Sequence, residues 1–398
     1  EGDAVVKRPT VPIGEVVRFQ AGVGFPPALQ GRVSGDLPFA KVGDISRHGR
    51  SGKQYIRTAD HYVDNSDLKQ LRTQPIAPGS TLFAKIGEAI RQNHRVIAAQ
   101  PMLIDNNAMA AIPGTNVDPA YLFRFLQSVD LYQYATSTTV PSLRKSDLER
   151  IDIPLPTLSE QRRIAAILDH ADALRVMRRR SIRALAELTD AAFIDCFGHA
   201  PEPSALLNDV ATVSSGITKG RRTNDATSPI PYLAVANVQA GRLELGSVKT
   251  IDATSSEIER YRLEFGDLVL TEGGDPDKLG RGTVWRDELP LCLHQNHIFR
   301  VRIQDSSSLH PDYLSAFISS NQSRSYFMKS AKQTTGIASI NMTQLKALPV
   351  HVPTAEAQLR YLDLIRSINA QRATVAASVS ACDHLLLSLR SRAFRGEL

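Results

Sequence analysis

Cys292-Leu-His294-Gln-Asn-His297 sets three possible metal ligands close together, where a structural zinc site requires four. On a strand, however, positions 292, 294 and 297 do not share one face. No second cluster completes a tetrahedron, so no metal is expected here. Just upstream, Glu272-Gly-Gly-Asp275-Pro-Asp277 gathers carboxylates. Its glycines and proline make it a loop, with the acids either in water or accepting from a cytosine amino group. Gly22-Val23-Gly24 faintly suggests a nucleotide-binding turn. The corresponding later stretch reads Gly216-Ile217-Thr218, and neither G-x-G-x-x-G nor an acidic ribose partner accompanies it, so it reads as a plain turn. The phosphate-cradling G-x-x-x-x-G-K-[ST] loop, the G-x-S-x-G elbow and the Asn/Asp-Pro-Pro-aromatic tetrapeptide of amino-methyltransferases do not occur. No residue is therefore assigned a catalytic role.

The elements that would position any site are organised by one long stretch, residues 154–198, and a second copy of it, 353–398. Pro154 and Pro156 keep the approach extended. Thr157-Leu158-Ser159-Glu160 fits a capping box. A stripe stepping by threes and fours follows: Ile164, Ile167, Ala171, Leu174, Arg178, Ser181, Leu185, Leu188, Ala192 and Asp195. The later copy gives Tyr361, Ile365, Ile368, Arg372, Val375, Val379, Cys382, Leu386, Leu389 and Ala393. Each helix should run for roughly 40 residues, or about 60 Å. A stripe that long is too much for one small domain to bury, so each helix is expected to pair with the other as in a coiled coil. Arg178 and Arg372 interrupt the seams near their middles. There the seam should open, or an acidic partner should cover it, unless the 177–180 run is a solvated face.

A chain of 398 residues suggests two to three domains. Hydrophobic content of 42% and charged content of 22% are ordinary for a globular protein. A net charge of +6 weakly favours an anionic partner. Three scattered cysteines, Cys196, Cys292 and Cys382, are too few for a disulfide framework, which points to a reducing, cytoplasmic setting. No apolar run reaches membrane-spanning length, Glu1-Gly2-Asp3 does not resemble a signal peptide, and the absent Met suggests a trimmed start.

Between the long helices the sequence repeats itself. Residues 208–217 lie over 14–23, 231–238 over 38–45, 265–270 over 78–83, 296–301 over 107–112 and 311–314 over 119–122. The offset stays between about 187 and 197 residues, a domain duplication rather than a solenoid period. In the first copy, strands are expected at 36–45, 81–86, 94–104 and 107–112. Residues 46–53 should form a polar, basic loop, Asp118-Pro119 should start a helix, and 135–145 should be a Thr/Ser-rich loop. Strands mix with one or two helices without a βαβ rhythm, so the class is α+β. The order predicts a domain over 1–153, a helix over 154–198, a domain over 199–352 and a helix over 353–398. Two antiparallel helices would then separate and join two similar α/β domains about an internal pseudo-two-fold axis.

The 154–168 stretch, PLPTLSEQRRIAAIL, resembles the helix start of the specificity subunits of type I restriction–modification systems. Ala393-Phe-Arg-Gly-Glu-Leu398 is similar to that family's usual end. Gly273-Gly-Asp-Pro-Asp-Lys-Leu-Gly-Arg281 with His294-Gln-Asn-His-Ile-Phe-Arg-Val301 resembles one class of its target recognition domains. Phe83-Ala-Lys-Ile-Gly-Glu88 with Asp105-Asn-Asn107 resembles another. The second helix start, Thr354-Ala-Glu-Ala-Gln358, keeps the glutamine but lacks the Leu-Ser-Glu core, so its cap should be weaker. The resemblance implies a non-catalytic subunit that recognises a split, asymmetric sequence in double-stranded DNA, one half per globular domain. The helices would measure the unspecified spacer and bind two modification subunits, which use S-adenosylmethionine to methylate adenine. Restriction subunits would add the ATP- and Mg-dependent nuclease. No cofactor is expected in this chain, and no membrane.

Within that implication, readers in the first domain are expected among Arg47, His48, Arg50, Lys53, Arg91, Gln92, Asn93, Arg95, Thr138, Thr139, Ser142 and Arg144. In the second they are expected among Lys219, Arg221, Arg222, Asn224, Asp275, Asp277, Lys278, Arg281, Gln295, Lys332, Gln333 and Thr334. Arg and Lys suit guanine, Asn and Gln suit adenine, and Asp suits cytosine. About half should touch only phosphate or water. Helix-pair or partner contacts are expected from Ile164, Ile167, Ala171, Leu174, Leu185, Leu188, Ile365, Ile368, Val375, Val379, Leu386 and Leu389. A different class of function, a helix-mediated protein-interaction scaffold without sequence-specific DNA binding, is disfavoured by the basic Ser/Thr/Asn-rich loops. A methyltransferase is disfavoured by the absent motifs.

Overall fold

The computed structural model describes residues 9–136, 139–198, 202–274, 279–334 and 337–398, with backbone alone at 332–334 and 337. It divides into two compact units. One comprises Glu1–Ser181 with Val375–Leu398, and the other comprises Ile182–Thr374. Each long helix, Leu158–Phe197 and Ala355–Arg395, gives one half to each unit. Among the described residues no helix is long and apolar enough to cross a membrane.

In the first unit, a five-stranded sheet runs in the order Val17–Ala21, Ala108–Pro113, Thr81–Ala84, Arg95–Ala98, Tyr55–Ile56. Only the last pairing is parallel. The middle strand, Thr81–Ala84, is buried along its whole length. Alternation sends Leu82 into one core and Phe83 into another, so the sheet is covered on both faces. The second unit repeats the plan with Ala211–Ser215, Ile298–Ile303, Leu268–Thr271 and Gly282–Val284. Here Val269 points into one core while Leu268 and Leu270 point into the other. Each unit also holds a three-stranded sheet whose last pairing is parallel. The first is His61–Val63, Leu37–Ala40, Leu103–Ile104, and the second is Lys249–Ala253, Ser228–Leu233, Leu293–His294. The duplication is therefore one of topology. One register moves: the Lys85 N–H donates to the Asn107 carbonyl, and the equivalent Glu272 N–H donates to that of His297. Asn107 thus corresponds to His297 and not to Asn296.

Residues 46–53 differ from expectation. Only 51–53 lie in a turn or loop: Val42–Arg50 is a helix, begun where the Asp44 carboxylate accepts the Lys41 N–H. Its Gly49 lies so close to His94 that a Cβ would fall 2.8 Å from that side chain. The helix Pro119–Ser128 begins as the sequence predicts, with Asp118 accepting from the Ala120 and Tyr121 N–H groups and proline in the first turn. Pro311–Ile318 does the same with His310 as its cap.

The start of each long helix is locked to its unit by one glutamine. Gln161, wholly buried, donates to the Asn116 and Pro156 carbonyls at 3.0 and 2.9 Å and accepts the Asp118 N–H at 2.8 Å. Gln358, 2% exposed, donates to Ser308 and Pro353 at 2.9 Å each and accepts the His310 N–H at 2.8 Å. Tyr121 and Tyr313 add matching hydroxyl bonds to the Pro154 and His351 carbonyls. The second cap is not weaker at its hydroxyl, because Thr157 and Thr354 each accept an N–H at 3.3 Å. The Glu160 carboxylate is held by Arg163.

The helix seams are shared with the globular cores. In the first unit Ile164, Ala165, Leu168 and Ala171 join Leu386 and Ala393 in the core that contains Tyr121 and Leu122, with Leu389 packed against it. In the second unit Ala192 and Phe193 join Tyr361, Leu362 and Ile368, with Leu185 and Ile365 alongside. Ile167, Leu174, Val375 and Val379 are half-buried. Leu188, expected in the seam, is 47% exposed, because at its height the buried stripe has moved to Ala192 and Phe193. Arg178 and Arg372 are both exposed, which keeps their charges in water. The units differ in their glue. Arg124, buried in the first, binds Asp169 and Asp172 of the long helix. Ala316 holds that position in the second, where Phe193 packs on Tyr313, Phe317 and Tyr361.

Gln161→Ala or Gln358→Ala would strand two carbonyls and one N–H without solvent. Each is expected to cost about 2 to 3 kcal/mol in denaturant unfolding. Leu188→Ser on the exposed face should change stability by no more than about 0.5 kcal/mol.

Candidate nucleic-acid interface

In both units the polar loops converge where the central strand leaves its sheet. In the first, residues 85–88 turn through Gly87, whose φ of 82° suits glycine. The Gly87 N–H donates to the Pro141 carbonyl at 2.8 Å and the Leu143 N–H to that of Lys85 at 2.9 Å. Ile86 and Ser142 form a bridge. The Thr136 and Ser142 hydroxyls lie 3.2 Å apart. Asn107 joins through the Lys85 N–H, and its amide donates to Asp105 at 3.5 Å. Burial raises the pKa of the Asp105 carboxyl. Lys85, Asn107, Ser142 and Arg144 thus border one surface, with Thr139 exposed beside them.

The second unit builds the same junction from strands. Gly273–Gly274 pairs with Ile337–Ser339, which pairs with Lys332–Thr334. A Cβ at Gly273 would stand 2.8 Å from the Ala338 carbonyl, so the approach of the two chains requires glycine. Glu272 is the first residue beyond the buried strand. Its carboxylate accepts from the His297 Nδ1 at 2.7 Å. Gln295 and Asn296 are half-buried beside His297, and Arg281 donates to Gln239 at 3.1 Å. Thr138, Asp275, Asp277 and Lys278 lie outside the described residues, as do the side chains of Lys332, Gln333 and Thr334.

A second basic surface in the first unit gathers the end of the Val42–Arg50 helix against the 91–95 loop. Arg50 and Lys53 are exposed, with no ion pair among the described residues, and Gln92 is exposed. Other expected readers are engaged within the protein. Arg47 pairs with Asp44 and Asp60, at 2.6 Å each, and these contacts raise its pKa. His48 bonds the Asp44 carbonyl at 3.0 Å. Arg91 pairs with Glu88 and lies 4.0 Å over the Tyr132 ring. Arg95 is only 3% exposed and cannot reach a ligand; burial lowers its pKa to about 9. Asn93, at φ 53°, accepts from Arg95 and donates to Val129, so it shapes the loop.

In the second unit Arg221 forks onto Glu257 and donates to the Asp252 carbonyl at 2.7 Å. That guanidinium, aided by the Thr254 N–H, holds the Glu257 carboxyl down at about 2. Arg32 grips Asp64 and Asp67 in the first unit in the same manner. Lys219 sits 5.3 Å from the Tyr232 ring, and Arg222 and Asn224 are exposed. The possible zinc ligands do not converge. The Cys292 thiol is buried and pushed up to about 12, and buried His294 donates from Nδ1 to the Tyr261 carbonyl, with burial pulling its pKa down to about 3. His297 faces Glu272 instead. Among the described residues no three metal-binding side chains cluster.

Lys85, Asn107 and His297 were not among the predicted readers, and Glu272 was raised only as one acid of the 272–277 loop. The signal available for them was glycine just after a mostly apolar central strand, Gly87 and Gly273, which marks where the chain turns outward.

Residues 8–184 match the family model described as the type I restriction modification DNA specificity domain. The chain is 23% identical over 287 residues to the type I restriction enzyme EcoKI specificity subunit of Escherichia coli, covering 66% of this chain and 61% of that protein. It is also 23% identical over 315 residues to the StySPI specificity subunit of Salmonella potsdam, covering 72% and 67%. The match thus spans less than two thirds of the Escherichia coli relative. A solved type I restriction–modification S subunit from M. genitalium aligns with a TM-score of 0.55 at 13% identity, over 99% of this chain and 98% of that one. A chain from a structural study of type I R-M complex assembly and conformational transition aligns at 0.61 and 17%, over 99% of both. At these identities the likeness is one of fold.

The Arg221–Glu257 clamp makes a pH prediction. A carboxyl whose folded value lies below its ordinary 4.5 stabilises fully above that pH, and the contribution is lost as pH falls through about 2. Glu257→Gln should therefore destabilise the protein near neutrality by about 1 to 2 kcal/mol. The gap from wild type should close between pH 4.5 and about 2, followed by unfolding across that range.

Proposed function

We propose that the chain, whose residues 8–184 match the family model described as the type I restriction modification DNA specificity domain, is the DNA sequence-recognition subunit of a type I restriction–modification complex. Each unit reads one half of a bipartite, asymmetric target. The observation that carries this reading is the repeated junction at the end of each central strand: the same backbone frame presents Lys85 and Asn107 in one unit and Glu272 and His297 in the other. One scaffold with two sets of polar side chains is what two different half-sites require. Exposed cations, Arg50, Lys53, Arg144 and Arg222 among them, supply sequence-independent attraction to phosphate.

The chemistry belongs to partners under this proposal. Two modification subunits carry S-adenosylmethionine and methylate adenine, and restriction subunits bring ATP and Mg. This chain contributes recognition and the helix surfaces on which the partners assemble.

Binding of duplex DNA by the chain, alone and with a modification subunit, tests the reading when measured over a range of salt. Affinity should fall steeply with salt. Arg50→Ala, Lys53→Ala and Arg144→Ala should each weaken all sequences alike and reduce the log–log slope by about 1. Arg47→Ala should do less, since Asp44 and Asp60 already balance that charge. Salt-insensitive binding, or none, would favour a protein-interaction scaffold. Methyl transfer by the chain alone would contradict a recognition role.

A further inference from the structure

Glu272 stands where a DNA-binding surface should avoid a carboxylate. Phosphates repel it, so its presence needs a compensating partner. Its backbone is fixed on both sides, the N–H on the His297 carbonyl and the carbonyl on the Ile340 N–H, each at 3.0 Å. Its side chain is fixed as well. With the His297 Nδ1 as donor to Glu272 at 2.7 Å, the Nε2 is left to accept from the Asn296 amide at 3.5 Å, a weak but directional contact. This leaves the Glu272 Oε1 as an acceptor with no hydrogen bond to another described residue, on a side chain 35% exposed. A held carboxylate with one oxygen unpaired among the described residues can recognise an amino donor. On the major-groove edge such donors are cytosine N4 and adenine N6, and a carboxylate is the acceptor suited to cytosine. At the same backbone position the first unit has Lys85, whose ammonium only donates and suits the N7 and O6 acceptors of guanine.

We propose that Glu272, positioned by His297, reads a cytosine amino group in the half-site of the second unit, and that Lys85 reads a guanine edge from the equivalent place in the first. The inference rests on the DNA-reading assignment above and names which side chains set the half-sites apart. His297 is a positioning residue: it touches no base and holds the carboxylate.

Selection of bound duplexes from a randomised library by the chain in complex with its modification subunits tests this. Wild type should enrich a two-part motif with cytosine at one fixed position of one half. Glu272→Gln keeps size and the His297 contact but adds a donor. It should lower discrimination at that single position by about tenfold or more and leave the other half unchanged. His297→Ala should blunt the same position and no other. Lys85→Glu should change a position in the opposite half. An unaltered motif with Glu272→Gln, or changes from Glu272→Gln and Lys85→Glu in the same half, would overturn the proposal. Wild type enriching no motif at all would overturn the DNA-reading assignment as well, which separates the two failures.

Discussion

A buried primary amide holds each half of this molecule together. Gln161 and Gln358 each satisfy two carbonyls and one N–H that would otherwise be buried without partners. The groups they satisfy belong to two places: the chain just before the long helix and the loop that caps the domain helix. The bond set therefore fixes the direction in which the long helix leaves. Apolar burial along Ile164 and Leu168, or Tyr361 and Leu362, supplies most of the energy. The amide supplies the geometry, because three directional bonds tolerate one orientation only.

From that anchor the sheet follows. A central strand buried on both faces cannot shift register without exposing one core, so the point where it emerges is rigid. The loops that meet there inherit this rigidity through backbone bonds: 85–88 with 141–143 in one unit, 272–274 with 338–340 in the other. Side chains at the junction are then free to differ. That separation of frame from contents lets a duplicated domain diverge in what it binds without loss of its fold.

Much of this was legible in the sequence. The repeat, both long helices and the proline-led starts of the domain helices follow from spacing and from residues that act locally. The retained glutamine of 354–358 was visible too, although its role was not, because two of its three partners lie about 50 residues away. What failed was charge. Arg47 with Asp60, and Arg221 with Glu257, are pairs separated by 13 and 36 residues. Asp44 lies three residues from Arg47, but its role was hidden with the helix itself, and no local pattern reveals the distant acids. Arg95 failed in another way: it reads as a basic loop residue yet lies on a buried strand, tied to Asn93. The helix over Val42–Arg50 was hidden because its capping acid, Asp44, sits in what looks like the end of a strand.

The proposed function requires each unit to read its own half of a DNA target. Methylome sequencing of cells carrying the complete system tests that most directly, with residues 1–150 native or exchanged for the matching segment of a relative. The account predicts that one half of the methylated motif changes while the other half persists. A motif altered in both halves, or in neither, would contradict it.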